Sequence, residues 1–318
     1  MLTYTNPVYP HYFADPFELK HDEQYYAYGT GPAGPNGERF PVLHSLDCVN
    51  WESLGWALIP SGGTDFWAPE VAYTDGLFYM YFSAQGIDGK DHQLRVATSQ
   101  TPNGPFFDTG KTLVPDQPFS IDPHPFQDKD GQWYLFYARD FLTPDEDTHV
   151  GTGIVVSRLL DMTTLDNSPQ IVVRPHADWH LFLPQRSMYG GVYDWYTVEG
   201  PSVLLHNNHY YCFYSGGAWE QDNYGVACVV ADSPLGPYLR PDYAQAPLLR
   251  TVPDRVIGPG HNSFTRSLDG AQTYIVYHAW DAARIARLMR IDHLHWEGDR
   301  PVIQGPTWTP QLLRGQGS

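Results

Sequence analysis

The sequence predicts an all-β fold, and within that class a single five-bladed β-propeller spanning residues 1–318. Three observations lead there. The chain holds 29 Gly and 28 Pro, a supply of turn formers that suits many short strands better than helices. Short aromatic strand cores recur five times. Each is preceded by a segment bearing a carboxylate or a histidine, at intervals of about 50 to 80 residues, a period on the scale of one propeller blade.

The aromatic cores are EQYYAYGTG (23–31), GLFYMYFSA (76–84), GQWYLFYAR (131–139), NHYYCFYSG (208–216) and QTYIVYHAW (272–280). Each follows a turn residue and alternates large apolar side chains with others, the pattern of a strand after a tight turn. A further element follows each one, as in LRVATSQTPNGPF (94–106) and GVACVVADSPLGPY (225–238), which share a Ser-Pro or Thr-Pro, then Gly-Pro-aromatic ending. The preceding elements are ADPFEL (14–19), WAPEVAY (67–73), IDPHPFQ (121–127), VEGPSVLL (198–205) and GPGHNSFTR (258–266). A fourth, outer strand fits in the residues left in each repeat. Residues 140–197 read as a long aromatic loop that shapes a binding face.

Composition narrows the function classes. Net charge is −17, which argues against nucleic acid and anionic membrane as partners, since both need clustered Lys and Arg. Cys48, Cys212 and Cys228 have no zinc-motif spacing; Cys212 and Cys228 lie in apolar stretches and read as buried thiols. No run reaches the ~20 apolar residues of a membrane span, and MLTYTNPVYPHYF lacks the basic start and apolar core of a signal peptide. The expectation is a cytoplasmic enzyme. Its oligomeric state is open.

In a propeller the first strand of each blade lines the central channel. Asp15, Glu70, Asp122, Glu199 and His261 mark the five first strands, so Asp15, Asp122 and Glu199 are expected to meet near the axis. Three carboxyls around one pocket suit glycosidic bond cleavage, which needs one ionised carboxylate and one protonated carboxyl. A single Asp-Pro or Glu-Gly is more often a turn or strand-end cap; recurrence in successive blades is what favours chemistry. Glu70 reads as a hydrogen-bonding residue that fixes its neighbours. Phe66 and Trp67 are candidates for stacking on a sugar face, against the ordinary alternative of core packing. His261, in GPGHNSF, has no companion ligands at zinc spacing. A narrow polar channel in an acidic protein nevertheless attracts a cation, and Ca²⁺ suits it, being satisfied largely by oxygen and water.

The order ADP, WAPE, IDP, VEGP, GHNSF and a late Arg resembles glycoside hydrolase family 43 over nearly the whole chain. The resemblance implies an inverting enzyme with Asp15 as general base, Glu199 as general acid and Asp122 as the residue that raises and orients the acid. It implies Trp67 at the sugar pocket and Arg287, in A-R-x-M nine residues before Trp296, as a substrate contact, although Ala286 stands where the pattern has Gly. It implies that His261 holds a calcium ion directly or through water. Many β-xylosidases of the family add a C-terminal β-sandwich that these 318 residues leave no room for, so the stretch 140–197 or a neighbouring subunit is expected to close the pocket. The activity expected is exo-acting release of β-D-xylose or α-L-arabinofuranose from short oligosaccharides. An endo-acting arabinanase is the enzyme alternative, and a non-catalytic sugar-binding propeller the alternative of another class.

Overall fold

The computed structural model describes residues 2–315 apart from 87, 88 and 90. Antiparallel pairing builds five successive four-stranded units; short parallel pairings join the first unit to the second and the third to the fourth. Blade 1 comprises Ala14–His21, Gln24–Thr30, Arg39–Ser45 and Glu52–Ile59. Blade 2 comprises Thr64–Thr74, Leu77–Gln85, His92–Ser99 and Phe106–Thr112. Blade 3 is built from Ser120–Gln127, Trp133–Phe141, Gly151–Asp161 and Gln170–Val173. Blade 4 is built from Gly191–His206, His209–Gly216, Gly225–Ala231 and Leu249–Arg250. Blade 5 is built from Ile257–Arg266, Thr273–Trp280, Arg287–Glu297 and Arg300–Ile303.

The aromatic second strands explain the ring. In a strand, neighbouring side chains point to opposite faces. Phe136 and Ala138 pack toward blade 4, while Leu135 and Tyr137 pack toward blade 2. Cys212 and Tyr214 pack toward blade 3, Tyr211 and Phe213 toward blade 5. Both faces of each blade are therefore buried, and five separate cores fill the five gaps between blades. The fifth core joins Phe13, Tyr25 and Leu43 of the first repeat to Tyr274, Val276 and Met289 of the last. The ring is also closed by pairing of Thr3–Tyr4 with Gln311–Leu312.

The first strands share a backbone device. Asp15, Ala68, Asp122, Gly200 and His261 all adopt a left-handed φ, between 49° and 57°, and each first strand carries a register shift there. Such a bulge re-aims one side chain and leaves one residue unpaired. The next residue is Pro16, Pro69, Pro123 or Pro201 in four blades, and Asn262 in the fifth. Proline has no N–H to leave unsatisfied at that place.

The alignment of repeats is thereby corrected. The position equivalent to Asp15, Asp122 and His261 is Ala68 in blade 2 and Gly200 in blade 4, so Glu70 lies two residues beyond the bulge and Glu199 one residue before it. The stretch 140–197 is likewise not one loop. It contains the third and fourth strands of blade 3 and a hairpin of Leu181–Met188 against the start of Gly191–His206. GIVVSRLLD within it is the third strand of blade 3.

Candidate active site

Asp15, Asp122, Glu199, His261, Trp67 and Arg287 line one cavity of about 340 Å³ at the mouth of the channel. The bulge aims Asp15, Asp122 and His261 inward. Trp67 and Glu199 occupy the place one residue earlier in their own blades and face the same cavity. Phe66 does not join them. It is 7% exposed and packs in the core between blades 1 and 2, stacked on Phe82 with ring centres 5.9 Å apart. Adjacent residues of a strand face opposite ways, so Trp67 at the cavity sends Phe66 into the core.

Asp15 is held as an anion. Burial alone would raise its pKa, but the charge of Arg287 foremost, with His261 next, outweighs it and keeps the carboxyl well below the usual carboxylate range. Arg287 Nη1 donates to Asp15 Oδ1 at 3.1 Å. Its other donors go to Tyr12 Oη, at 3.1 and 2.8 Å, and its guanidinium lies 4.4 Å from the centre of the Trp219 ring. The backbone N–H of Asp15 donates to His278 Nδ1 at 3.0 Å, so that nitrogen carries no proton. Burial pushes the His278 pKa down to about 4, and Arg287 is then the cation beside Asp15.

Asp122 and Glu199 behave oppositely. Burial raises the Glu199 pKa to about 7, with the charge of Asp15 adding to the rise and the hydrogen bond from Tyr224 opposing it. Burial and the nearby Glu199 raise Asp122 as well. Two carboxyls that repel one another, Asp122 buried and Glu199 half-buried, retain one proton between them near neutral pH, and that proton belongs to the pair. Each is oriented by one donor. Tyr224 Oη donates to Glu199 Oε1 at 2.8 Å, and Gly200 N donates to Asp122 Oδ2 at 3.0 Å. The cavity thus combines a fixed anion with a carboxyl able to give up a proton, the pairing that acid–base cleavage of an acetal requires.

His261 Nδ1 lies 3.5 Å from Asp15 Oδ1 and 4.0 Å from Asp122 Oδ2. Asp122, Glu199 and His261 offer ligand atoms within 4.8 Å of one another. A cation bound directly by Glu199 would keep that carboxyl ionised. Oxygens without hydrogen-bond partners also occur on Glu18 and Asn262, both buried and both on the first strands that carry Asp15 and His261. Two carboxyls and one imidazole leave most of the six to eight ligand places of a calcium ion to water, so the cluster fits a hydrated ion better than a tightly coordinated one.

Glu70 lies outside the cavity lining. Its Oε2 takes a hydrogen bond from His124 Nδ1 at 2.6 Å, and His124 Nε2 accepts from Val203 N at 3.0 Å, which ties blades 2, 3 and 4 together. Trp67 is 36% exposed and stacks on His92 at 4.1 Å. Tyr12, Phe119, Thr152, Phe182, Arg186 and Trp219 complete much of the wall. The sequence reasoning missed them because they come from connections and non-first strands that do not repeat between blades. Cys212 and Cys228 are buried thiols, as expected. Among the described residues no helix is long and apolar enough to cross a membrane.

The profile described as Glycosyl hydrolases family 43 matches residues 4–302. A β-D-galactofuranosidase of Aspergillus niger is 28% identical, over 92% of this chain and 82% of its own. An extracellular exo-α-(1→5)-L-arabinofuranosidase of Streptomyces avermitilis is 26% identical, over 96% of this chain and 65% of its own. Among solved structures, a thermostable family-43 glycoside hydrolase superposes with a TM-score of 0.86 at 33% identity, covering 99% of each chain. A match this long makes the chain a member of glycosyl hydrolases family 43 and hence a glycoside hydrolase.

Proposed function

We propose that the protein is an inverting, exo-acting hydrolase that releases β-D-xylose or α-L-arabinofuranose from short oligosaccharides. Asp15 activates water as general base, Glu199 protonates the leaving oxygen, and Asp122 tunes and orients Glu199. The observation that carries this reading is the opposed electrostatics of one cavity: Asp15 is stabilised as an anion by Arg287, while burial raises Glu199 to about 7. Trp67, with its exposed ring, gives a sugar face a surface to stack on, and Arg287 is placed to meet substrate hydroxyls beside the base. The cavity is at the small end of ligand pockets, which favours one chain end over a long polymer.

The test is turnover of a panel of aryl pentosides and pentose oligosaccharides, with the first-formed anomer followed by NMR. An inverted anomer and release of single pentoses support the proposal. A retained anomer rejects the mechanism. Internal cleavage of arabinan with no action on aryl monoglycosides gives the endo reading the advantage.

Asp122→Asn is expected to lower activity and move the alkaline limb of the pH–rate profile to lower pH. Removing a carboxyl that shares its proton with Glu199 takes away a negative neighbour, so Glu199 ionises more easily and its protonated form is lost sooner as pH rises. A pH series on the folded variant checks this, and an unmoved alkaline limb rejects the tuning role.

The proposal includes a calcium ion in the channel, mostly hydrated, with His261 as one contact. Bound there, it would brace the channel and add positive potential near the acids; Asp15 remains the group that activates water. Exhaustive chelation should lower activity and Ca²⁺ should restore it, with the response weakened in His261→Ala. Wild-type activity indifferent to chelation removes the ion from the scheme.

A further inference from the structure

We propose that Arg186, backed by Phe182, binds the sugar on the leaving-group side of the scissile bond through two neighbouring hydroxyls. The proposal rests on Glu199 being the proton donor. That acid must reach the glycosidic oxygen, so the leaving sugar lies past Glu199 as seen from Asp15. The strand Gly191–His206 shows what stands there. Its cavity-facing side runs from Glu199 back through Thr197 to Trp195, every second residue. Thr197 lines the cavity, and Trp195 is 1% exposed beneath it.

Strand Leu181–Met188 pairs with this extension, Leu183 opposite Trp195 and Arg186 opposite Tyr193. The pairing delivers Phe182 and Arg186 to the cavity wall. The Arg186 guanidinium sits 5.1 Å from the centre of the Phe182 ring and 5.5 Å from that of Trp195. Two rings therefore hold it in place. Among the described residues, no hydrogen bond or ion pair occupies its N–H groups. Asp140, whose charge it influences, is already bonded by Thr152 Oγ1 at 2.8 Å and Tyr189 Oη at 2.7 Å. A positioned guanidinium with unused donors is a fork for a pair of adjacent hydroxyls. The ligand is a neutral sugar, because a net charge of −17 and the cavity's carboxyls repel an anionic one.

The experiment compares two substrates of one pentose: a disaccharide, and the glycosyl fluoride, which has no leaving sugar. In Arg186→Ala, kcat/KM for the disaccharide should fall at least about tenfold further than for the fluoride. Arg186→Lys should show most of that difference, since it keeps the charge and loses the fork. Phe182→Ala should shift the ratio in the same direction. Equal losses on both substrates would place Arg186 on the glycone or in the scaffold and overturn the proposal. So would a wild type inhibited by a hexuronic acid more strongly than by the free pentose, with that preference abolished in Arg186→Ala, which would mark an acid-sugar site. Wild-type turnover of both substrates with an unmoved ratio sinks this inference alone. A wild type inert on both sinks the functional reading and this inference with it.

Discussion

Asp15→Asn should abolish most turnover on every substrate, with kcat falling by roughly three orders of magnitude, about 4 kcal/mol of activation free energy. The expectation follows from what Asp15 touches. Its carboxylate accepts from Arg287 Nη1 at 3.1 Å and is buried, so it is an anion with little water around it to share the charge. Asparagine fills the same space but accepts no proton, and water then attacks without a base. Because the base acts on water and not on the leaving group, the loss should be similar for an activated aryl glycoside and for an oligosaccharide. The substitution also leaves Arg287 buried without its anion, a change that can destabilise a fold. Tyr12 Oη and the Trp219 ring still engage that guanidinium, so the variant should fold, which circular dichroism and thermal unfolding would check. A loss that is large for oligosaccharides and small for activated aryl glycosides would move Asp15 to a proton-donating role.

The legible part of this protein was what repeats. Aromatic alternation in the second strands announced sheets buried on both faces, and the five cores between blades are its direct consequence. The Asp-Pro pairs at 15–16 and 122–123 marked equivalent places in two blades, and the structure shows that the place is a bulge with a left-handed residue before proline. Glu70 and Glu199 were harder to place. Ala68 and Gly200 hold the equivalent bulge positions, and neither carries a chemical signal, so the nearest carboxylate was mistaken for the equivalent one. Phe66 failed for a related reason: two aromatics in a row cannot both face the cavity, and the sequence does not say which one does. The remaining wall was illegible. Tyr224 and His278 reach Glu199 and Asp15 from a turn and a second strand, and Tyr12, in a lead-in segment, holds Arg287. Only the closure of the ring brings His278 to Asp15 and Tyr12 to Arg287, in each case across more than 200 positions.

Glu199→Gln should divide substrates by their leaving groups. For an oligosaccharide, whose departing alkoxide is a poor leaving group, kcat/KM should fall by about 10²–10⁴. For a dinitrophenyl glycoside, which departs without protonation, the loss should stay within about tenfold, since only orientation is disturbed. The amide keeps an oxygen to accept the Tyr224 hydroxyl, which now stands 2.8 Å from Glu199 Oε1, so the side chain should hold its place and the comparison should report on the proton. The pH profile supplies the second readout. In the wild type the acid titrates near 7, raised chiefly by burial; above that pH it loses its proton and the rate on oligosaccharides declines. The variant has no proton to lose at that position, so the residual rate should no longer show that alkaline limb, while the acidic limb set by Asp15 should persist. Asp122 would then titrate without its charged partner and ionise more readily. Uniform losses across both substrate classes, or an alkaline limb that survives the substitution, would take the proton away from Glu199 and leave Asp122 as the carboxyl to examine.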